Sequence, residues 1–175
     1  TYTVSGSGGC SDDADTYAVN VTGTIATVGS GNWSDDANWG GSSKPTPGQD
    51  ITILHDMTVD ESTADLGDLT INSGTTLTVG AFTLEASGTI DNNGTLSVGA
   101  SSTVNADGAY DATGGNTTFT GAGTLKLGST VTDLGTFTPS TGTVEYDGTS
   151  QTVDALAGGS GNSSSGSYYN LILNG

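Results

Sequence analysis

Arginine is absent from this chain, and lysine occurs only at Lys44 and Lys126. Against those two cations stand 19 carboxylates, for a formal net charge of −17 over 175 residues. A surface so poor in cations cannot neutralise phosphates, which excludes nucleic-acid binding. It is repelled by an anionic bilayer surface for the same reason. No run approaches the roughly 20 apolar residues that span a bilayer, so no membrane insertion is expected. Aromatic residues reach 6% and hydrophobic residues 32%, too few for a bulky core. Cys10 is the single cysteine, which leaves no intrachain disulfide framework. In its Gly-rich setting it reads as a small half-buried residue or as a thiol linking neighbouring chains. Helix formers are too sparse and unpatterned for an α protein.

What the chain does contain is threonine, serine, asparagine and 29 glycines. Low hydrophobicity with high net charge is the usual signature of disorder, but the pattern argues otherwise. Apolar residues alternate with polar ones in short runs at Asp50–Leu54, Asp68–Ile71, Thr76–Val79 and Thr95–Val98. Alternation of period two marks half-buried strands. The chain is therefore expected to be folded and all-β.

A three-residue element recurs: glycine, threonine, then a branched or aromatic apolar residue. It occurs at Gly23, Gly88, Gly94, Gly123, Gly135 and Gly142, with Gly74-Thr-Thr-Leu77 as a variant. The intervals are irregular, so this is no strict-period array. Short strands with glycine at the corners nevertheless predict stacked β-coils. In such coils glycine or asparagine serves where φ is positive, and each strand turns an apolar residue toward a narrow core. The expected fold is a right-handed parallel β-solenoid, or β-helix, with irregular rungs. A β-sandwich is the alternative, but it needs a bulkier core and longer strands. Three segments are expected: residues 1–10 as an N-terminal strand on a Gly/Ser tether, 11–49 as a capping segment, and 50–175 as solenoid rungs.

The run Gly31-Asn-Trp-Ser-Asp-Asp-Ala-Asn-Trp39, followed by Pro47-Gly-Gln-Asp-Ile-Thr-Ile53, resembles the opening segment of β-solenoid modules in secreted bacterial surface proteins. In those modules a paired-tryptophan element precedes a Pro-x-x-Gly-Asp-type turn and the first rung. Here the turn departs slightly, as Pro47-Gly-Gln-Asp50. Leu69–Asn72 and Gly166–Asn174 are similar to rungs of the same modules. The resemblance covers residues 30–175 and implies a secreted, adhesive or structural role without naming a ligand.

Few residues are marked out for chemistry. In Ser11-Asp-Asp-Ala-Asp-Thr16, Asp12, Asp13 and Asp15 read equally as the first turn of a Ser-capped helical turn or as oxygen ligands for Ca²⁺. Ser34-Asp-Asp-Ala-Asn-Trp39 echoes that stretch and is expected to be a helical turn capped by Ser34, a Ca²⁺ site being the alternative. Trp33 and Trp39 are expected to plug a solenoid end, a sugar-stacking platform being the alternative. His55, with no second histidine and no nearby cysteine, is expected at the surface rather than on a metal. No Gly-x-Ser-x-Gly elbow accompanies it, and no carboxylate pair stands out, so no enzyme activity is expected. N-x-Ser/Thr sequons at Asn20, Asn32, Asn93, Asn116 and Asn162 are glycosylation candidates.

The composition suits an extracellular or cell-surface location, and with Thr1 rather than Met at its start the chain is expected to have lost a leader or to belong to something longer. The expected role is a fibre subunit binding copies of itself head-to-tail. The tethered strand Thr1, Tyr2, Thr3 and Val4 would add to a terminal rung at Leu171, Ile172 and Leu173. A stalk or adhesin module contacting surface glycans is the alternative. Ice binding through Thr-x-Thr pairs such as Thr76/Thr78 and Thr118/Thr120 is a third reading, with strand propensity the plainer account.

Overall fold

The computed structural model describes residues 23–154, 156 and 167–175. These residues form three six-stranded parallel sheets, visited in turn. Face I comprises β1 (Ile25–Ala26), β3 (Ile51–Ile53), β6 (Leu69–Ile71), β9 (Ile90–Asn92), β12 (Tyr110–Asp111) and β15 (Val131–Asp133). Face II comprises β2 (Gly31–Asn32), β4 (Met57–Val59), β7 (Thr76–Val79), β10 (Thr95–Val98), β13 (Asn116–Phe119) and β16 (Thr136–Thr138). Face III comprises β5 (Asp65–Leu66), β8 (Thr83–Ala86), β11 (Thr103–Ala106), β14 (Thr124–Leu127), β17 (Thr143–Tyr146) and β18 (Asn170–Leu173). Three parallel faces wound in succession define a β-solenoid, as the recurring short strands with glycine at the corners predicted. β1 and β2 already pair with β3 and β4, so the winding starts within the segment before residue 50.

The turn is more regular than the recurring Gly-Thr element suggests. On face I the register runs from Ile51 to Leu69, Ile90, Tyr110 and Val131, steps of 18, 21, 20 and 21 residues. The element looks aperiodic because it opens strands on all three faces: β9 after Gly88, β10 after Gly94 and β14 after Gly123. Its glycine has two physical origins. At the corner between faces I and II, Gly74 has φ +82° with open space around its α-carbon, a left-handed conformation that side chains disfavour. Gly94 is required by space instead: a Cβ there would lie 2.4 Å from the Asn72 carbonyl oxygen of the rung below.

In-register parallel stacking places like residues above one another inside. One column runs Leu84, Val104, Leu125 and Val144, and another Leu66, Ala86, Ala106, Leu127 and Tyr146. All are buried. Polar groups enter the core at Asn92, Tyr110 and Thr117. Tyr110 Oη lies 2.7 Å from Thr117 Oγ1, and Asn92 Nδ2 donates to the Asn116 carbonyl at 2.8 Å. Tyr110 is fully buried, which pushes its hydroxyl up to about 12, against weaker stabilisation of the anion by Thr117 and Asn92.

Candidate functional surfaces

The two ends of the winding differ. At the N-terminal end each sheet edge is covered. Residues 38–40 fold back antiparallel onto β1: Val28 N donates to Asn38 O at 2.8 Å, and Gly40 N to Ala26 O at 2.9 Å. Asn38 Nδ2 donates to Asn32 O at 3.0 Å over the edge of β2. Gly48, just after Pro45 and Pro47, donates its N–H to Asp65 O of β5 at 2.8 Å. Proline and antiparallel cover blunt an edge against further pairing.

Trp33 and Trp39 sit within this first rung, 2% and 1% exposed. Their rings meet edge-on with centroids 4.6 Å apart, and Trp39 Nε1 donates to Trp33 O at 2.9 Å. Buried indole faces cannot stack on a sugar. The Ser34 stretch departs from expectation in one detail. The turn is a 3-10 helix, Asp36–Asn38, and its cap is Asp35, whose carboxylate accepts from Ala37 N at 3.0 Å. Ser34 instead gives its N–H and hydroxyl to Asp60, at 3.0 and 2.7 Å, tying the first rung to the second. Partial burial opposes ionisation of Asp60, but these Ser34 hydrogen bonds prevail and hold its carboxyl below the usual range.

His55 is half-buried rather than superficial. Its Nδ1 lies 3.1 Å from the Thr27 carbonyl oxygen and 3.2 Å from the Thr27 hydroxyl. The Thr27 hydroxyl accepts from Leu54 N and His55 N at 2.9 and 3.1 Å. The histidine thus fastens a corner. Both lysines are ion-paired: Lys44 with Glu61, and Lys126 with Glu145 at 3.4 Å and Asp147 at 3.5 Å. No side-chain cation remains free for an anionic partner.

At the C-terminal end, β18 pairs with β17 along one edge and has no strand on the other among the described residues. Leu171 continues the column of Val144, and Leu173 that of Tyr146. Here, though, the apolar residues are uncovered: Leu171 is 41% exposed, Ile172 44% and Leu173 65%. Beside them lies a groove of about 310 Å³, lined by Tyr146, Gln151, Val153 and Leu173 among others. The core next to it is closed by Tyr168, 5.6 Å from the Phe137 ring, whose hydroxyl donates to Asp154 O at 2.8 Å. Its hydroxyl also lies 3.0 Å from that of Tyr146, and burial together with Tyr146 raises it above the ordinary tyrosine range.

The outward faces differ in charge. Face I carries the ladder Thr52, Thr70, Asp91 and Asp111, whereas Asp133 of β15, beyond a register shift, is buried and accepts from Gly135 N at 2.7 Å. Face III carries Asp65, Glu85, Asn105, Lys126 and Glu145 beside a rank of threonines. Face II carries Thr76, Thr95, Asn116 and Thr136 in one rank. Its second rank is Asn32, Thr58, Thr78, Ser97, Thr118 and Thr138. The expected pair Thr118/Thr120 is corrected to Asn116/Thr118, because β13 ends at Phe119 and Thr120 lies at the following corner.

Of the sequon residues, Asn32 and Asn93 are exposed, whereas Asn116 is half-buried and its Nδ2 donates to Thr95 Oγ1 at 3.2 Å. Thr1, Tyr2, Thr3, Val4, Cys10, Asp12, Asp13, Asp15, Asn20 and Asn162 lie outside the described residues. Among those described, no three His, Cys, Asp or Glu side chains are grouped to hold a metal ion, and no helix is long and apolar enough to cross a membrane. The described residues form a parallel β-solenoid whose last strand, β18, has no further strand on it, while the N-terminal edges meet the 38–40 and 45–48 segments beside a groove of about 360 Å³ at Ile25 and Val28. Comparison with protein-family models, curated proteins and solved structures finds no match to this chain.

Proposed function

We propose that this chain is a non-enzymatic extracellular structural protein that assembles with copies of itself by strand addition at its terminal rung. The observation that carries the reading is β18. Its outer edge has no strand partner among the described residues, and Leu171 and Leu173 prolong core columns without cover. A parallel strand laid there pairs its backbone and buries those side chains, the mode of β-augmentation. The covered N-terminal edges limit strand addition to one end, so each copy is an acceptor once and growth is linear. The donor in this reading is Thr1–Val4 on its Gly/Ser tether.

The experiment combines light scattering and electron microscopy on three forms: the full chain, a form lacking residues 1–9, and Leu171→Lys/Leu173→Lys. The full chain is expected to form filaments, and both altered forms to stay folded monomers. Filaments that persist in both forms overturn the mechanism. A full chain that stays monomeric at high concentration overturns self-assembly and favours the second reading, a stalk or adhesin module. That reading draws on the same polarity, since a winding with covered N-terminal edges and an uncovered last strand suits a module placed in series.

A further inference from the structure

Face II is the uncharged side of a strongly acidic molecule. Its two outward ranks hold only threonine, serine and asparagine, while faces I and III display aspartate, glutamate and lysine. The second rank spans six strands, while the first runs over β7, β10, β13 and β16 and ends at the exposed Asp56, whose carboxylate accepts from Thr76 N at 2.8 Å. With a net charge of −17, the uncharged field beyond Asp56 selects a neutral partner. The ranks also form a grid. Neighbouring strands stand about 4.8 Å apart, and alternate residues along a parallel strand about 6.6 Å apart. Every pairing on this face is in register, whereas face I shifts register between Tyr110 and Asp111.

The grid is stiff. Threonine is β-branched and restricted at χ1, so each hydroxyl and methyl is held in a fixed direction. Behind it Leu77, Val79, Leu96, Val98, Phe119 and Phe137 are all at most 2% exposed. At the centre of the second rank the pattern breaks at Ser97, flanked by Thr78 and Thr118 on adjacent strands. Ser97 is only 8% exposed, and its hydroxyl makes no hydrogen bond among the described residues. The side chain is enclosed but its oxygen is still reached from outside, and the outward ladder position directs it to whatever lies on the face.

We propose that face II is an ice-binding surface. The threonine methyls hold first-shell water in an ordered arrangement, the hydroxyls anchor that water by hydrogen bonds, and the Ser97 hydroxyl takes one water between Thr78 and Thr118. Absence of charge matters because an ion orients water radially around itself and breaks such a layer. A neutral polysaccharide is the less suited occupant: recognition of a sugar face uses an exposed aromatic ring, this face has none, and Trp33 and Trp39 are buried. The inference does not depend on end-to-end assembly.

The test measures thermal hysteresis and inhibition of ice recrystallisation by the full chain. Thr118→Lys and Thr118→Val probe face II, and Thr103→Lys, an equally half-buried threonine on face III, is the control. Circular dichroism establishes that each is folded. Wild type and Thr103→Lys are expected to depress freezing below melting alike. Thr118→Lys is expected to lose most of that gap. Thr118→Val, which keeps the shape and removes the hydroxyl, is expected to lose a smaller part while melting as wild type does. Absence of both effects in the wild type overturns the proposal, as does an equal loss in Thr103→Lys. Retention on crystalline cellulose or chitin without any effect on ice overturns it in favour of a glycan surface.

Discussion

Tyr110 shows how a single side chain can be costly and specific at once. Its hydroxyl is buried against Thr117 in an otherwise apolar column, so Tyr110→Phe leaves the Thr117 hydroxyl enclosed without its 2.7 Å partner. A loss of about 1–3 kcal/mol in urea unfolding is expected. The same burial gives a pH signature. The folded-state value near 12 lies above the ordinary value of 10, so the unfolded chain ionises first as pH rises. The stability contributed by the neutral phenol is complete below pH 10 and is lost between about pH 10 and 12, on the order of 2–3 kcal/mol. Tyr146 and Tyr168 are raised as well and act in the same direction. Unfolding measured from pH 8 to 12 should therefore fall more steeply for wild type than for Tyr110→Phe. Gly94 is the second decisive residue. In Gly94→Ala the new carbon meets carbonyl oxygens of Asn72 and Thr75 at 2.4 and 2.5 Å, and about 1–3 kcal/mol of destabilisation is expected from forcing the rungs apart.

The strands were legible one at a time. Thr76–Val79 and Thr95–Val98 stand where alternation put them, and Asp50–Leu54 is trimmed only to Ile51–Ile53. Their assignment to faces was not legible, because every strand obeys the same period of two and the Gly-Thr element opens strands on all faces. That is why Asn116/Thr118 was missed: nothing local says that β13 stops one residue before Thr120. The terminal strand was read correctly as apolar, but its lack of cover is a property of position. The contrast between central and terminal rungs is testable. Leu125→Ala removes a fully buried side chain and should cost about 2–5 kcal/mol, whereas Leu171→Ala, at a site 41% exposed, should cost under about 1 kcal/mol in the monomer. Equal losses at the two positions would mean that β18 is covered in solution.

For the molecule as a whole, charge sets the conditions of use. Nineteen acids face two lysines, and both lysines are committed to Glu61, Glu145 and Asp147. Asp91 and Asp111 stack in register on neighbouring strands, where like charges oppose each other. Added salt screens such repulsion, with a Debye length near 10 Å at 0.1 M falling to about 3 Å at 1 M. The melting temperature at neutral pH should therefore rise as sodium chloride is raised from 10 mM to 0.5 M. A melting temperature that falls with salt would assign the ion pairs of Lys44 and Lys126 more weight than the carboxylate repulsion.

Composition alone excluded an α fold, and alternation alone required short half-buried strands with glycine between them. Those properties are local: they depend on charge, on φ, and on a side-chain period that any strand displays. Stacking decided the rest. In-register parallel pairing put Ser97 between Thr78 and Thr118, gathered the uncharged positions onto one face, and drew His55 onto Thr27 across 28 residues. It also covered Trp33 and Trp39 while leaving Leu171 to Leu173 exposed. Apolar residues of similar hydrophobicity meet opposite fates there because cover is supplied by the neighbouring rung, and which rung has a neighbour is a property of the winding.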